Sequence, residues 1–153
     1  MIMIHFVINN ISLKAKINEA KVARLATVDL ECKPHLIPVV FVFDNRCYFI
    51  PIDEKTKRFR PEKLKRAKNI QQNPNVTLLI DEYNEDWTKL YFIMIQGKAS
   101  IIGGKKLEKQ NEVLLLEKAH NLLSDKYHQY QKTGIGEYVI MIIPQKVITW
   151  KNK

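Results

Sequence analysis

The chain has 153 residues, of which 46% are hydrophobic and 27% are charged, and this composition argues against disorder and fits one domain of ordinary size. The formal net charge of +9 favours an anionic partner, such as a phosphorylated small molecule, a nucleic acid or a membrane surface, without choosing among them. No apolar run reaches the ~20 residues needed to cross a bilayer, and the apolar N-terminal run lacks the flanks of a signal peptide. We therefore expect a cytoplasmic protein, with Cys32 and Cys47 as reduced thiols.

The first part of the chain predicts a helix followed by strands. Residues 12–22 are mostly helix formers, and Ser12 is a plausible N-cap. Three runs rich in β-branched and aromatic residues follow, at residues 24–29, 34–43 and 47–52. Short turns join them, which predicts an antiparallel meander. Pro38 and Pro51 lie inside these runs. Because proline cannot donate to a sheet ladder, each predicts an edge strand, a bulge or a place where something other than a strand packs alongside.

The rest of the chain predicts two further helices and three strands. The helices are expected at 60–72, with Pro61 in the first turn, and at 105–123. The strands are expected at 76–80, at 90–102 with a bend at Gly97, and at 137–150. Because turns rather than crossover helices connect most strands, this order excludes a doubly wound sheet. It favours a mainly β (α+β) domain, a closed or half-closed antiparallel barrel with helices over its openings.

A compact basic segment follows the third β-type run. Residues 50–58 end in Lys55, Thr56, Lys57 and Arg58, and together they offer the positive charge and hydroxyl donor that a phosphate needs. The expected helix after it could add the positive end of its dipole. On composition alone, however, a basic stretch is more often a solvated helix face, so both interpretations stay open at this point.

Several short strings resemble a known family when they are taken in order. They are Ala26-Thr27-Val28-Asp29, Pro34-His35-Leu36-Ile37-Pro38-Val39, Lys55-Thr56-Lys57-Arg58, Asn73-Pro74-Asn75-Val76 and Gln96-Gly97-Lys98-Ala99. Their order and spacing resemble the FMN-binding split β-barrel of pyridoxamine phosphate oxidases and their relatives. The acidic run from Asp81 to Asp86, followed by Trp87, is most similar to a branch of coenzyme F-420-dependent enzymes. The resemblance implies an antiparallel split β-barrel as one domain over residues 1–153.

The resemblance also implies a site. In the family the cofactor lies at the interface of a homodimer, against positions that correspond here to Pro38, Val39, Val40, Phe49, Ile50 and Pro51. The following loop holds the cofactor phosphate, here with Lys55, Thr56 and Lys57, and with Arg58 close by. Trp87 has two interpretations, as a loop anchor that fills a gap in the core or as a residue that reaches the partner's cofactor. No catalytic side chain and no metal ligand is assigned.

Three positions depart from the oxidase pattern. Ile37 and Val42 are apolar where the oxidases carry basic residues, and Phe92 replaces a polar side chain. The resemblance therefore implies an oxidoreductase that uses FMN or coenzyme F-420 on a small organic substrate other than pyridoxamine phosphate. The alternative is a flavin- or deazaflavin-binding carrier without turnover. Binding of nucleic acid ranks last because the basic stretch matches no known nucleic-acid-binding fold signature. His120 and His128 are expected to face solvent.

Overall fold

The computed structural model describes residues 10–53, 63–104 and 109–152. This part of the chain contains four α-helices, a short 3-10 helix at Trp87–Lys89 and seven strands. The helices are α1 Ile11–Glu19, α2 Lys65–Gln72, α3 Gln110–Lys126 and α4 Gln129–Thr133. The strands are β1 Ala23–Val28, β2 Pro34–Val39, β3 Val42–Phe43, β4 Tyr48–Ile52, β5 Asn75–Glu82, β6 Tyr91–Gly103 and β7 Tyr138–Lys151.

The strands form one sheet in the order β2-β1-β5-β6-β7-β4-β3, and neighbouring strands are antiparallel. The two edge strands, β2 and β3, are consecutive in the chain, with only Val40 and Phe41 between them. The sheet therefore curls until a single chain segment supplies both of its edges. This architecture confirms the prediction of an antiparallel α+β split barrel.

The expected three-strand meander is wrong, because the run at residues 34–43 divides into two strands. Its halves pair with different neighbours, β2 with β1 and β3 with β4. The physical reason lies at Phe41, whose backbone N–H donates to the Tyr127 hydroxyl at 3.1 Å. Because this tertiary hydrogen bond replaces a ladder bond at Phe41, the segment can leave one edge of the sheet and join the other.

The strand side chains alternate between two sides of the sheet. The inner side is filled by one apolar cluster that includes Leu25, Ile50 and Ile95, and α1 and α2 add Ile17 and Ile70 to it. On the outer side, α3 covers only β3, β4 and the adjoining ends of β6 and β7, through a second cluster. The outer side of the other strands has no helix on it among the described residues.

The helix boundaries differ from the predictions. The N-cap of α1 is Asn10 and not Ser12, because the Asn10 side chain accepts a hydrogen bond from the Leu13 N–H at 3.1 Å. Leu64 is extended, so α2 begins only at Lys65, and the part of the predicted helix around Pro61 lies outside the described residues. These shifts reflect local hydrogen bonding at the helix ends, which sequence patterns locate poorly.

The last two helices also correct the prediction. Lys109 is extended, so α3 begins at Gln110, and it continues to Lys126, beyond the expected end. The five-residue α4 was not predicted, because it is too short for an apolar period to stand out. It ends at Gly134, which has a positive φ of 73° and donates its N–H to the Tyr130 carbonyl at 2.9 Å. A glycine adopts this backbone conformation without steric cost.

The predicted bend at Gly97 is confirmed as a β-bulge. Gln96 pairs with Lys146 and Gly97 with Pro144, which leaves Gln145 as the extra residue on β7. A Cβ atom at position 97 would lie 2.3 Å from the Ile143 carbonyl oxygen, so glycine is needed for this close approach. Both cysteines are free, and no described helix is long and apolar enough to span a membrane.

Candidate functional site

A cleft of about 650 Å³ opens beside the point where the chain crosses from β2 to β3. Its walls come from that crossing, from the residue after β4, from the end of α3 and from α4 with the loop that follows. The lining residues are Val40, Asp53, Tyr127, Gln129, Tyr130, Thr133, Gly134, Ile135, Gly136 and Glu137. In size it falls in the range of small-molecule sites.

Strand alternation brings two distant sequence positions into this cleft. Along the run from β2 to β3, Pro38 is exposed, Val40 is half-buried and lines the cleft, and Val42 is buried in the α3 cluster. Along β4, Phe49 is in the same cluster, and Asp53 reaches the cleft just beyond the strand end. Because successive outward residues are two apart, Val40 and Asp53 reach the same cleft from different strands.

Tyr130 fixes the acidic wall of the cleft. Its hydroxyl donates to the Asp53 carboxylate and lies 3.0 Å from both Oδ1 and Oδ2. Burial, followed by the negative charge of Asp53, raises the pKa of Tyr130 above its ordinary value. The phenol therefore stays protonated at neutral pH and can serve as a hydrogen-bond donor.

Arg66 on α2 is a cation that interacts electrostatically with this wall, through the charge of Asp53. Burial lowers the pKa of Arg66, and the charge of Asp53 opposes that shift. Its Nε atom is buried and has no hydrogen-bond partner in the described part of the chain. The carboxylate of Asp53 thus connects the end of β4 to α4 by a hydrogen bond and to α2 by charge.

Tyr127 forms the back of the cleft and holds the strand crossing in place. Its hydroxyl accepts from the Phe41 N–H and lies 3.0 Å from the Phe41 carbonyl and 2.9 Å from the Lys21 carbonyl. Lys126 packs beside it, with Nζ 4.2 Å from the centre of the Phe41 ring. Burial and the nearby Lys21 lower the pKa of Lys126 to about 8, so part of this lysine population is uncharged in mildly alkaline solution.

His120 supports the loop that closes the cleft, and the expectation that it faces solvent is wrong. It lies in the middle of α3 and is half-buried, and its Nε2 atom is buried without a partner among the described residues. Burial lowers the pKa of His120, and a hydrogen bond with the Gly136 backbone works in the opposite direction. His128 is exposed, as expected.

The side chains of the predicted ring-binding residues are divided between the two sides of the sheet. Val39 and Ile50 point into the inner core, whereas Pro38 is exposed on the outer side. Phe49 and Pro51 are buried. Of the six positions, only Pro38 and Val40 offer accessible side chains, so a ring against β4 would meet backbone groups there. Their role in binding a cofactor stays a prediction.

The predicted phosphate-binding residues Lys55, Thr56, Lys57 and Arg58 lie outside the described residues. Asp53 is the last described residue before them, and it lines the cleft. In the sequence the basic segment therefore begins two residues after a residue that lines the cleft, and the assignment of the four residues stays a prediction.

Trp87 begins the short 3-10 helix that follows the acidic turn. Its side chain is 63% exposed, so the interpretation of Trp87 as an anchor that fills a core gap is wrong. The Asp86 carboxylate accepts from the Thr88 N–H at 3.2 Å and thereby caps this helix. The remaining interpretation, contact with a cofactor in a partner subunit, stays a prediction.

Sequence reasoning missed the residues that shape the cleft. Tyr127 and Tyr130 lie three positions apart near the end of a helical region and ahead of Gly134, which is only a weak signal. Their role depends on Phe41 and Asp53, which are more than 70 residues away in the chain. Among the described residues, no group of three or more His, Cys, Asp or Glu side chains could hold a metal ion.

Comparison with known proteins places this fold in a family. Residues 11–151 match the sequence model of the family described as pyridoxamine 5'-phosphate oxidase. No curated protein sequence matches the chain significantly.

Solved structures with the same fold share little sequence with the chain. HutZ, the haem storage protein of Vibrio cholerae, superposes with a TM-score of 0.67 at 16% identity, over 92% of each chain. A conserved hypothetical protein of Mycobacterium tuberculosis gives 0.69 at 16% identity, over 95% of this chain and 86% of that one. An FAD-binding protein of Mesorhizobium loti gives 0.64 at 15% identity, over 92% and 93%. At such identities the likeness establishes the fold alone.

Proposed function

Because the chain belongs to the pyridoxamine 5'-phosphate oxidase family, we propose that it binds FMN or coenzyme F-420 and transfers a hydride to or from a small organic substrate. The family resemblance noted from the sequence is confirmed by this match. Structures with the same fold include an FAD-binding protein, which agrees with a flavin-type ligand. The choice between FMN and the deazaflavin, and the redox activity itself, are parts of the proposal.

The position of the cleft is the observation that carries the proposal. Val40 directly follows β2, which corresponds to the strand that the family uses for its cofactor ring, and Asp53 lies two residues before Lys55 in the segment expected to bind phosphate. A planar ring and an anionic tail need an apolar wall and a cationic loop at neighbouring positions. The cleft provides the first of these at Val40 and Ile135, and we assign the second to Lys55, Thr56 and Lys57.

The bound cofactor would supply the redox chemistry, and the protein would position and enclose it. Tyr130 would offer a protonated hydroxyl at the cleft wall, held by Asp53 at 3.0 Å. Tyr127 would keep the crossing at Phe41 rigid through its hydrogen bonds. These groups fit a role in orienting a ligand and excluding water.

The altered family positions favour a deazaflavin over FMN. Ile37 packs against the inner core and Val42 is only 3% exposed, and because both are apolar, neither offers a charged contact to a cofactor. Phe92 stacks on Trp150 with ring centres 6.0 Å apart. With these polar contacts missing, the phosphate segment carries more of the recognition, and a ligand with a different tail is favoured.

Titration of the purified protein tests the proposal directly. The protein is mixed with FMN and, separately, with coenzyme F-420, and binding is followed by cofactor fluorescence. We expect a micromolar or tighter Kd for at least one of them. If neither binds at micromolar concentration, the proposed function is wrong. Turnover with the reduced cofactor then separates an enzyme from a carrier.

The phosphate assignment has its own test. We expect the double variant Lys55→Ala with Lys57→Ala to weaken cofactor binding at least tenfold, because two charge-assisted contacts are lost. A matched control removes two exposed lysines elsewhere, Lys68→Ala with Lys109→Ala, and lowers the net charge equally. Equal affinities of both double variants for the cofactor would contradict the assignment.

We also propose that the protein is a homodimer with the cofactor at the subunit interface. The family resemblance is the support for this arrangement, and the exposed Trp87 is compatible with a contact to the partner's cofactor. Sedimentation at micromolar concentration measures the mass directly. A monomer under these conditions would count against an interface site.

A carrier without turnover is the second candidate, and two observations favour it. The family's basic positions are apolar and inward or covered here, at Ile37 and Val42, and one structure of the same fold is a haem storage protein. A haem ligand would give an intense Soret absorbance on titration with haemin. Tight haemin binding together with failure to bind FMN and coenzyme F-420 would favour this candidate over the oxidoreductase.

A further inference from the structure

A separate pocket of about 490 Å³ lies beside the β-bulge between β6 and β7. Its walls come from the end of β1, the start of β2, the loop between α2 and β5, and the bulge itself. It shares no lining residue with the cleft described above. This cavity is called the amide pocket below, after the side chains of Asn73, Gln96 and Gln145 that line it. We propose that the amide pocket binds a nucleobase, carried by a nucleoside or by a nucleotide.

The β-bulge brings two glutamines to this pocket. Gln96 pairs with Lys146 and Gly97 with Pro144, so Gln145 is the extra residue on β7. Gln96 and Gln145 are both exposed, and both line the pocket together with Gly97. A regular ladder would have no extra residue at this point. Bulges redirect a side chain and are frequent beside functional sites, so this one indicates a site and not only a bend of the strand.

The hydrogen-bonding groups of the amide pocket are available to a ligand. The side chains of Thr77, Gln96 and Gln145 make no hydrogen bond to other described residues. The Oδ1 atom of Asn73 accepts from the N–H and the side-chain amide of Asn75, at 3.1 and 3.0 Å. This leaves the Asn73 Nδ2 group without a partner in the described part of the chain. Each amide carries a donor and an acceptor in one plane, so the pocket offers both kinds of group to a planar ligand.

A nucleobase is the ligand class that these walls fit. Asn and Gln side chains form bidentate hydrogen bonds with base edges, such as N6 and N7 of adenine. Ala26, Val28 and Pro34 add apolar surface on which the faces of a ring can pack. None of the described lining residues is charged, so a charged group bound inside would lose its hydration without gaining a counter-charge. The volume also falls in the range of small-molecule sites.

Two lysines at the edge of the pocket could contact a phosphate that the base carries. The Lys98 ammonium donates to Oδ1 of Asn75, which itself lines the pocket. Lys146 follows Gln145 in the chain and is exposed, and it has no ion-pair partner among the described residues. The base is common to nucleosides and nucleotides, and the contribution of these lysines distinguishes the two sources.

Calorimetric titration of the cofactor-free protein with adenosine, AMP and ribose 5-phosphate tests the pocket. We expect at least one of the first two to bind with a submillimolar Kd, and ribose 5-phosphate, which lacks the base, to bind at least tenfold more weakly. If the source is a nucleotide, AMP binds more tightly than adenosine and Lys146→Ala removes the difference. Equal affinities for adenosine and AMP identify a nucleoside. If neither binds at millimolar concentration, or if ribose 5-phosphate binds as well as AMP, the proposal is overturned.

A double variant tests whether the base lies between the two glutamines. Gln96→Met with Gln145→Met removes both amides and keeps the side-chain length. We expect the Kd of the tighter ligand to rise at least tenfold, because the hydrogen bonds of two amides are lost. The matched control, Gln71→Met with Gln110→Met, changes two exposed glutamines on α2 and α3 and should leave the Kd unchanged. Equal affinities of the two double variants would overturn the assignment.

NMR spectra of the isotope-labelled, unaltered protein locate the ligand independently of any effect on folding. The side-chain amide signals of Gln96 and Gln145 should shift when the ligand is added, whereas those of Gln71 and Gln110 should not. This inference does not depend on the proposed cofactor, since the pocket and the cleft share no lining residue. Saturating FMN or coenzyme F-420 should therefore leave the Kd unchanged. Displacement of the ligand by either cofactor would place it in the cleft and overturn the separate site.

Discussion

The outer surface of the sheet has one half that α3 covers and a bare half, formed by β2, β1, β5 and the adjoining parts of β6 and β7, that carries no helix among the described residues. On the covered half, α3 packs on β4 and β7, and Phe49 and Val139 are fully buried. On the bare half, Phe92 and Ile148 occupy equivalent outward positions and are only half-buried. Apolar residues at outward positions therefore have different roles on the two halves. On one half they stabilise the packing of α3 on the sheet, and on the other their side chains remain accessible to solvent.

The largest expected effect is a difference in unfolding free energy between two phenylalanine substitutions, one on each half of the outer surface. Phe49→Ala empties a fully buried site beneath α3, and we expect a loss of about 3–5 kcal/mol in the free energy of unfolding. Phe92→Ala removes a half-buried ring, and its cost to the unfolding of a dilute monomer is expected to stay below about 1.5 kcal/mol. Denaturant titration of both variants measures the difference. Equal losses would show that the halves do not differ in this way.

The next effect concerns the hydrogen bonds that α3 makes to the strand crossing. Tyr127→Phe removes the hydroxyl that accepts from the Phe41 N–H and lies within 3.0 Å of the Phe41 carbonyl. Because these part-buried backbone groups lose their partner, we expect a loss of about 1–3 kcal/mol in the free energy of unfolding. Tyr83→Phe is the control, since Tyr83 is largely exposed, and it should change stability by no more than about 0.5 kcal/mol.

Replacement of Lys126 is expected to increase the free energy of unfolding, whereas the two preceding substitutions decrease it. Its buried ammonium has no hydrogen-bond partner among the described residues, so Lys126→Met should stabilise the protein by about 1 kcal/mol at pH 7, an amount reduced by the partial exposure of the side chain.

The advantage of Lys126→Met should depend on pH. The pKa of Lys126 falls from its ordinary 10.5 to about 8 on folding. Between these values the unfolded chain holds a proton that the folded chain has released, so the unaltered protein gains stability as the pH rises from 8 to 10.5. The gap between variant and unaltered protein should therefore close over this range. A constant gap across these pH values would contradict the burial of a charged lysine.

The smallest expected effect is the change in the free energy of unfolding below pH 6.5 that titration of His120 causes. Burial lowers its pKa below the ordinary 6.5, so the unfolded chain takes up a proton before the folded chain does. Stability attributable to His120 is present above pH 6.5 and is lost as the pH falls below that value. We expect His120→Gln to flatten this part of the stability curve, by less than the effect of Lys126. His128→Gln, at an exposed position, should leave the curve unchanged.

The sequence by itself determined the class of fold, the family and the order of the longer elements. Alternating and continuous apolar runs predicted β5, β6 and β7, and the string around Gly97 predicted the bulge, because side-chain period and glycine geometry are local properties. The strings around Pro38 and Pro74 indicated the family, which residues 11–151 confirm.

Only the tertiary structure decided where the run at residues 34–43 divides, which half of the sheet is covered and where the cleft opens. The division depends on a hydrogen bond between Phe41 and Tyr127, and the cleft wall on one between Asp53 and Tyr130. The first bond joins residues that are 86 positions apart in the chain, and the second joins residues that are 77 positions apart. No local pattern encodes such a contact, because its formation depends on the curl of the whole sheet and on where α3 packs against it. The same packing leaves Leu36 and Trp150 exposed, although their sequence surroundings are as apolar as those of the buried strands.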